Sequence, residues 1–188
     1  MSRDRIIDSL GETSKRRSLR LKGYDYSQPG AYFITLCTHK RRCILGEVVG
    51  DEMSLNNAGR LVETEWLSTA KVRPYIDLDA FVVMPNHFHA IFFIHGKAGA
   101  THRVAPTGDK LCAGLKPASV GAIVGQFKSS VTKEINSRRG SPIGSVWQRN
   151  YYEHVVRDEE DLNRIREYIQ DNPRRWIEDE NNPENLSA

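Results

Sequence analysis

Two histidines spaced two residues apart, His87 and His89, are the side chains whose types and spacing most directly suggest chemistry. They lie in the apolar stretch 82–94, which Pro85 and Asn86 interrupt, and this pattern predicts two β-strands joined by a tight turn. Because side chains alternate between the faces of a strand, both imidazoles point the same way, roughly 6.6 Å apart along the backbone. Neutral imidazole is a common metal ligand, so the pair could tilt onto one divalent ion.

A purely structural alternative exists for this pair, namely two hydrogen-bonded histidines at the end of a half-buried strand. The strand behind them is very apolar, and ionisable side chains left there without partners would cost on the order of 1–3 kcal/mol each. A metal ion would satisfy both imidazoles. The motif by itself therefore favours neither alternative.

Tyr168 and Asn172 form a second pair, four residues apart on one flank of the last predicted helix. Acidic residues open this helix and Pro173 stops it, since the residue before a proline is pushed out of helical geometry. Its buried stripe consists of Leu162, Ile165 and Ile169. From the helix alone, Tyr168 either packs its ring and exposes its hydroxyl or supplies a phenolic nucleophile. Asn172 either ends the helix or offers a third oxygen ligand beside the histidines.

The elements that must position these side chains follow the order β, α, β, β, α, β, α. Strands are predicted at residues 31–38, 76–84 and in the histidine stretch, with a short one within 43–49 and a strand or hairpin within 146–156. Helices are predicted at 57–70, from a Ser119 cap to about 135, and after residue 158. This order favours an α+β fold, a ferredoxin-like or RRM-like antiparallel sheet with helices on one face.

Length and composition indicate one domain with additions at its ends. The chain has 188 residues, 39% of them hydrophobic, which is enough for a substantial core. Residues 1–22 are expected to form a basic, flexible arm, and residues 97–118 to form a long loop or insertion, because their composition lacks periodicity. The acidic residues 177–188 are expected to form a C-terminal tail.

Charge and cysteine content restrict the class of protein further. The net charge of +3 is too small to identify a partner, but the basic N-terminal part of the chain is suited to binding the phosphate backbone of a nucleic acid. The three cysteines include no C-x-x-C pair, which argues against a disulfide framework and favours reduced thiols in a cytoplasmic protein. We also expect no signal peptide, and no apolar run approaches the roughly 20 residues that span a bilayer.

Three blocks together resemble the single-tyrosine HUH transposases (IS200-like), and within them the REP-associated tyrosine transposases. These blocks are the Pro-Asn-His-Phe-His strand, the Trp147-Gln148-Arg149 to His154 segment, and the Tyr168-Ile169-x-x-Asn172-Pro173 helix. The resemblance extends from about residue 16 to about 176, so that residues 23–176 would be the HUH transposase domain. The loop at 97–118 is longer than the family pattern, and the C-terminal tail has no counterpart in it.

The resemblance implies a metal-dependent endonuclease and strand transferase acting on single-stranded or hairpin DNA of the REP palindrome type. It implies that His87, His89 and Asn172 bind Mg²⁺ or Mn²⁺ and that Tyr168 is the nucleophile, forming a 5′-phosphotyrosine link. It leaves open whether the protein is a monomer or a homodimer that exchanges the Tyr168 helix.

Basic residues near these blocks are candidates for phosphate contacts, with the alternative that they are simply solvated. The candidates are Arg16, Arg17, Arg20, Lys40, Arg41, Arg42, Lys128 and Arg149, together with His154 as a substrate contact. A second class of function is a single-stranded nucleic-acid-binding module, which uses stacking aromatic residues on the same type of sheet and needs no metal. The His-x-His pair at the mouth of the central strands favours the enzyme. A third class is a domesticated relative that binds DNA but no longer transposes it.

Overall fold

The computed structural model describes residues 23–95, 118–139 and 144–187. The predicted arm and all but the last residue of the predicted loop at 97–118 lie outside these ranges. The elements, in chain order, are β1 (Gly30–Cys37), β2 (Gly46–Val49), β3 (Glu52–Leu55), α1 (Asn57–Lys71), β4 (Ile76–Val83), β5 (His87–Ile94), α2 (Val120–Arg139), β6 (Tyr152–Val155) and α3 (Glu159–Asp171). Within the described ranges, every helix is too short or too polar to cross a bilayer.

Four strands form one antiparallel sheet in the order β4-β5-β1-β6. Counted along the chain, these strands are the second, third, first and fourth, which is the arrangement of the ferredoxin-like β-α-β-β-α-β fold. The predicted α+β class is therefore confirmed. The small hairpin of β2 and β3 lies apart from the sheet, and β3 was not predicted because four residues are too few to show a pattern.

Helices cover both faces of the sheet. Helices α1 and α2 pack on one face, where Trp66 and Phe127 meet inward-facing strand residues such as Phe88. Helix α3 packs on the opposite face, where Ile165 and Ile169 join Phe33 and Ile91 in a second core. The expectation of helices on one face was thus wrong for α3. The physical reason is that β5 is apolar on both sides, so each face needs a cover.

Helix α3 begins as predicted, because the Asp158 side chain accepts a hydrogen bond of 2.8 Å from the Asp161 N–H. An ion pair then ties α3 to β4. Arg166 donates from Nε to Asp79 Oδ1 (3.0 Å) and from Nη2 to Asp79 Oδ2 (2.5 Å). The register of β4 against β5 shifts between Leu78 and Phe81, and a bulge of this kind re-aims the side chains within it.

The pH dependence of stability tests this ion pair. The hydrogen bonds from Arg166 hold the pKa of Asp79 below its ordinary value. Asp79→Asn should therefore lower the free energy of unfolding by ~1 kcal/mol at pH 7, a modest loss because the pair is partly solvated. A carboxyl group with a lower pKa in the folded state stabilises the fold at pH values above its unfolded-state pKa. This stabilisation is lost as the pH falls through the folded-state pKa. The difference between wild type and variant should therefore shrink below about pH 4.

Urea unfolding at a series of pH values measures that difference. Asp77→Asn is the matched control, because Asp77 lies on the same strand but is exposed and pairs with His95 at the surface. A loss of stability in Asp79→Asn that stays constant down to pH 3 would show that its origin is not the carboxylate charge.

Candidate active site

His87 and His89 lie side by side at the start of β5, on the face that α3 covers. Their ring centroids are 4.6 Å apart and both side chains are almost completely buried. Strand alternation places them on one face, as predicted, and the fold closes around them. Two titratable rings with this little solvent must be satisfied by protein groups or by a ligand.

The Asn86 side chain determines which nitrogen of His87 carries the proton. Its Nδ2 donates to the carbonyl oxygens of Arg41 (3.0 Å) and Asn181 (2.6 Å), which leaves Oδ1 facing His87 Nδ1 at 2.9 Å. Because Oδ1 can only accept, Nδ1 must carry the hydrogen. The other ring nitrogen, Nε2, is therefore a bare lone pair aimed into the site, which is how metal-binding histidines are commonly oriented.

His89 is held in a similar way by β1. Its Nδ1 lies 2.8 Å from the Thr35 hydroxyl, and its ring stacks on Phe33 with centroids 5.5 Å apart. The Thr35 hydroxyl can accept from Nδ1–H, in which case Nε2 accepts from the Tyr168 hydroxyl, 3.3 Å away. Both imidazoles thus present Nε2 towards α3.

Helix α3 brings Tyr168 and Asn172 to the two histidines. The amphipathic stripe that docks α3 on β5 places these two side chains, one turn apart, over the imidazole pair. Asn172 is 2% exposed, and its Oδ1 lies 3.2 Å from His87 Nε2. The four residues singled out from the sequence are therefore brought together, within one chain, by β5 and α3.

Burial controls the protonation of these groups. It lowers the pKa of both His87 and His89, and the neighbouring imidazole lowers that of His89 further, which favours the neutral form of both rings. Burial raises the pKa of Tyr168 to about 12; the nearby Asp179 carboxylate adds to this increase and the side chain of Asn172 opposes it. A phenol in this setting needs a positive charge nearby before it ionises near neutral pH.

The donor set fits a divalent cation. The described His, Cys, Asp and Glu side chains include no group of three that could hold a metal, so the histidines need an oxygen of another type. Asn172 supplies it: a bare nitrogen of His87 and an amide oxygen face each other, an arrangement that a cation relieves. Adjacent ligands on an octahedral ion with bonds of about 2.1 Å lie about 3 Å apart, close to the separation observed here.

The C-terminal segment, residues 176–187, packs against the same site. Asp179 Oδ2 lies 3.9 Å from His87 Nε2, with its side chain 8% exposed, and the Trp176 ring lies 6.0 Å from that of His87. The Asn181 carbonyl accepts from Asn86, and the Glu180 carbonyl accepts from Arg41 Nη1 at 3.0 Å. Neither Asn86 nor Asp179 was singled out from the sequence. Both lie outside the regular elements, so no periodic pattern relates them to β5, which carries the histidines, or to α3, which carries Tyr168. The division of the chain at residue 177 stays a prediction.

The basic loop that follows β1 borders the site with an unusual backbone. Lys40 and Arg41 both have positive φ, 58° and 53°, which side-chain-bearing residues rarely adopt. Asn86 Nδ2 donates a hydrogen bond to the Arg41 carbonyl, which stabilises this conformation. The Lys40 side chain is exposed, and Arg42 donates to the His39 carbonyl. Strained backbone of this kind is concentrated at functional sites.

The other candidate phosphate contacts are placed differently. The Lys128 ammonium donates to the carbonyls of Gln148 (2.6 Å) and Arg149 (3.1 Å), and burial lowers its pKa to about 8. Arg149 itself is exposed, and His154 Nε2 lies 2.7 Å from Asp161 Oδ2. Arg16, Arg17 and Arg20 lie outside the described residues. DNA contact by this set stays a prediction.

Comparisons with known proteins identify a relative by its sequence and a solved structure by its fold. No family model matches the chain. A solved structure of a REP-associated tyrosine transposase bound to a REP hairpin has the same fold, with a TM-score of 0.53 and 19% identity, covering 87% of this chain and 74% of that one. An uncharacterized protein of Haemophilus influenzae (strain Rd) is 40% identical over 169 residues, which cover 88% of this chain and 92% of the relative. At that identity and coverage, the chain belongs to the same protein family as the Haemophilus influenzae protein.

Proposed function

We propose that this protein is a divalent-metal-dependent enzyme that nicks and rejoins single-stranded or hairpin DNA through Tyr168, as an HUH single-tyrosine transposase of the REP-associated type. The observation that carries the proposal is the convergence of β5 and α3. His87 Nε2 lies 3.2 Å from Asn172 Oδ1, and His89 Nε2 lies 3.3 Å from the Tyr168 hydroxyl. A nucleophile, two oriented imidazoles and an oxygen donor meet in one buried site. The fold shared with a hairpin-bound transposase agrees with this assignment.

The reaction is a transesterification at phosphorus. The Tyr168 oxygen attacks the scissile phosphate, an O–P bond to tyrosine forms, and the P–O3′ bond breaks. The phenolic proton passes to solvent, and the departing 3′ oxygen takes a proton to become a free 3′-OH. The phosphotyrosine retains the energy of the broken bond, so a second 3′-OH can displace Tyr168 and rejoin the strand without ATP.

The chain's own residues prepare this step by orientation and exclusion of water. Asn86 and Thr35 hold the imidazoles so that both Nε2 atoms face α3, and the two cores fix β5 and α3 relative to each other. A Mg²⁺ or Mn²⁺ ion held by His87, His89 and Asn172 would offset charge on the phosphate oxygens and favour ionisation of the phenol.

The alternative function, a binding module of the RNA-recognition type, is disfavoured by the covered sheet. Such modules stack bases on aromatic residues of an open sheet face. Here α1 and α2 cover one face and α3 covers the other, and Phe33 is 7% exposed beneath His89. The central strands therefore offer no open stacking surface among the described residues.

A covalent-adduct assay tests the proposal. A library of single-stranded hairpin oligonucleotides, labelled at the 5′ or the 3′ end, is incubated with the protein and Mg²⁺ or Mn²⁺ and resolved on a denaturing protein gel. We expect a metal-dependent adduct that carries the 3′ label, because tyrosine retains the 5′ phosphate of the downstream strand. An adduct carrying the 5′ label would mean that tyrosine stays linked to the upstream strand, which is the opposite of the proposed polarity of cleavage. Binding without any adduct on a verified hairpin ligand would favour the binding module.

The salt dependence of DNA affinity should separate two of the candidate basic residues. Arg149→Ala should reduce the slope of log K against log salt by about 1, as expected for the loss of one phosphate contact. Lys128→Met should leave that slope unchanged and instead destabilise the fold by ~1–3 kcal/mol, because the Lys128 ammonium satisfies two carbonyls of the protein. Fluorescence anisotropy at several salt concentrations measures the slopes, and equal slopes for the two variants would contradict the distinction.

A further inference from the structure

The metal site proposed above contains no negative charge, although the ions it would take prefer one. Imidazoles bind metals in their neutral form, so His87, His89 and the Asn172 amide oxygen would all be uncharged ligands. Mg²⁺ is usually bound through one or two carboxylates, and Mn²⁺ likewise suits oxygen donors of this kind. A carboxylate close to the bare nitrogen of His87 would therefore change the affinity of the site.

Asp179 is a carboxylate in that position. Its Oδ2 lies 3.9 Å from His87 Nε2, and its side chain is 8% exposed. A metal-bound histidine is neutral, so in the proposed site this contact places a carboxylate beside an uncharged ligand. A carboxylate that is largely removed from solvent is stabilised by a nearby cation, and a divalent ion held by His87 would be such a cation.

The local structure of the C-terminal segment aims this carboxylate. Asp179 N–H donates to the Trp176 carbonyl, and Asp179 Oδ1 accepts from the Asn181 N–H at 2.6 Å. The Asn181 carbonyl in turn accepts from Asn86, the residue that orients His87. One oxygen of Asp179 thus closes the turn, while the other is left on the side of His87.

We propose that Asp179 is a further ligand of the divalent ion, supplied by the C-terminal segment, and that its charge sets the metal affinity of the site. This inference rests on the proposed function. Asp179 is added to the set of His87, His89 and Asn172. His87, His89 and Asp179 by themselves form no metal cluster among the described residues, so Asn172 stays in the set. The Oδ2 atom of Asp179 lies 3.9 Å from His87 Nε2, which is longer than the spacing of about 3 Å between adjacent ligands and close to the spacing of about 4.2 Å between opposite ligands with bonds of about 2.1 Å. The C-terminal segment is thereby part of the metal site.

Binding of Mn²⁺ to the full-length protein, followed by electron paramagnetic resonance without DNA, tests this inference. Asp179→Asn retains an oxygen that can accept from Asn181, so it removes the charge and preserves the turn. We expect its Kd for Mn²⁺ to rise about 10- to 100-fold. Glu178→Gln is the matched control, because Glu178 is exposed on the same short helical turn, and its Kd should stay within about twofold of wild type. The increase in Tm produced by Mn²⁺ should shrink in parallel.

His87→Ala separates this inference from the proposed function. If His87→Ala loses Mn²⁺ and Asp179→Asn binds it like wild type, the role of Asp179 is overturned and the proposed metal site stands. If His87→Ala binds Mn²⁺ as well as wild type does, or wild type binds none at millimolar concentration, the metal part of the proposed function fails, and the role of Asp179 fails with it. If Glu178→Gln and Asp179→Asn lose the same amount of Mn²⁺ affinity, the effect comes from the general surface charge and the role of Asp179 is overturned.

Discussion

Tyr168→Phe should abolish the covalent protein–DNA adduct and reduce strand cleavage by at least about 10³-fold, the scale expected when a nucleophile is removed. The substitution deletes one oxygen, the atom 3.3 Å from His89 Nε2, and retains the ring that packs edge-on against Phe33 at 6.3 Å. Stability and DNA affinity should therefore change little. The measurement is the yield of adduct with a 3′-labelled hairpin, together with the Kd for the same DNA.

The control variants for this experiment are Tyr151→Phe and Tyr152→Phe. Tyr152 lies on the same sheet face and packs edge-on against Phe33 at 6.1 Å, and Tyr151 lies 6.0 Å from the Lys128 ammonium. Each could face DNA, and neither lies on α3, the helix that carries Tyr168 and Asn172. Both control variants should form the adduct at wild-type levels. An adduct that persists in Tyr168→Phe and vanishes in one control would move the nucleophile to that residue.

His87→Ala should lower metal-dependent cleavage by about 10²-fold or more and leave DNA affinity within about twofold of wild type. His87 presents a bare Nε2 to the site and carries no charge, so its loss removes a ligand without removing a phosphate contact. The variant also leaves the Asn86 and Asn172 oxygens without their imidazole neighbour. Cleavage rates over a series of Mn²⁺ concentrations measure the effect, and saturation should shift to higher metal.

His95→Ala is the matched control for His87→Ala. His95 directly follows the same strand, but its side chain is 52% exposed and pairs with Asp77 at the surface. Cleavage by this control should match wild type at every metal concentration. If His87→Ala cleaves like wild type as well, the metal assignment is wrong.

Local patterns in the sequence were sufficient to predict most of the fold. The apolar runs of β1, β4 and β5 and the 3.6-residue stripes of α1, α2 and α3 are local consequences of burial, so these elements are where the sequence places them. The hairpin strand β3 and the docking of α3 on the second sheet face were missed. A four-residue strand has too few positions to show a pattern, and the face on which a helix docks depends on which faces other helices leave uncovered.

The sequence by itself also determined which groups can do chemistry: strand alternation aligns His87 with His89, and helical spacing aligns Tyr168 with Asn172. Only the tertiary structure decided that these pairs meet, that Asn86 and Thr35 orient the imidazoles, and that Asp179 lies beside His87. The physical reason is the range of the interactions. Periodicity reports which face of one element is buried, whereas these contacts join residues more than 50 positions apart, or turns whose hydrogen bonds have no period.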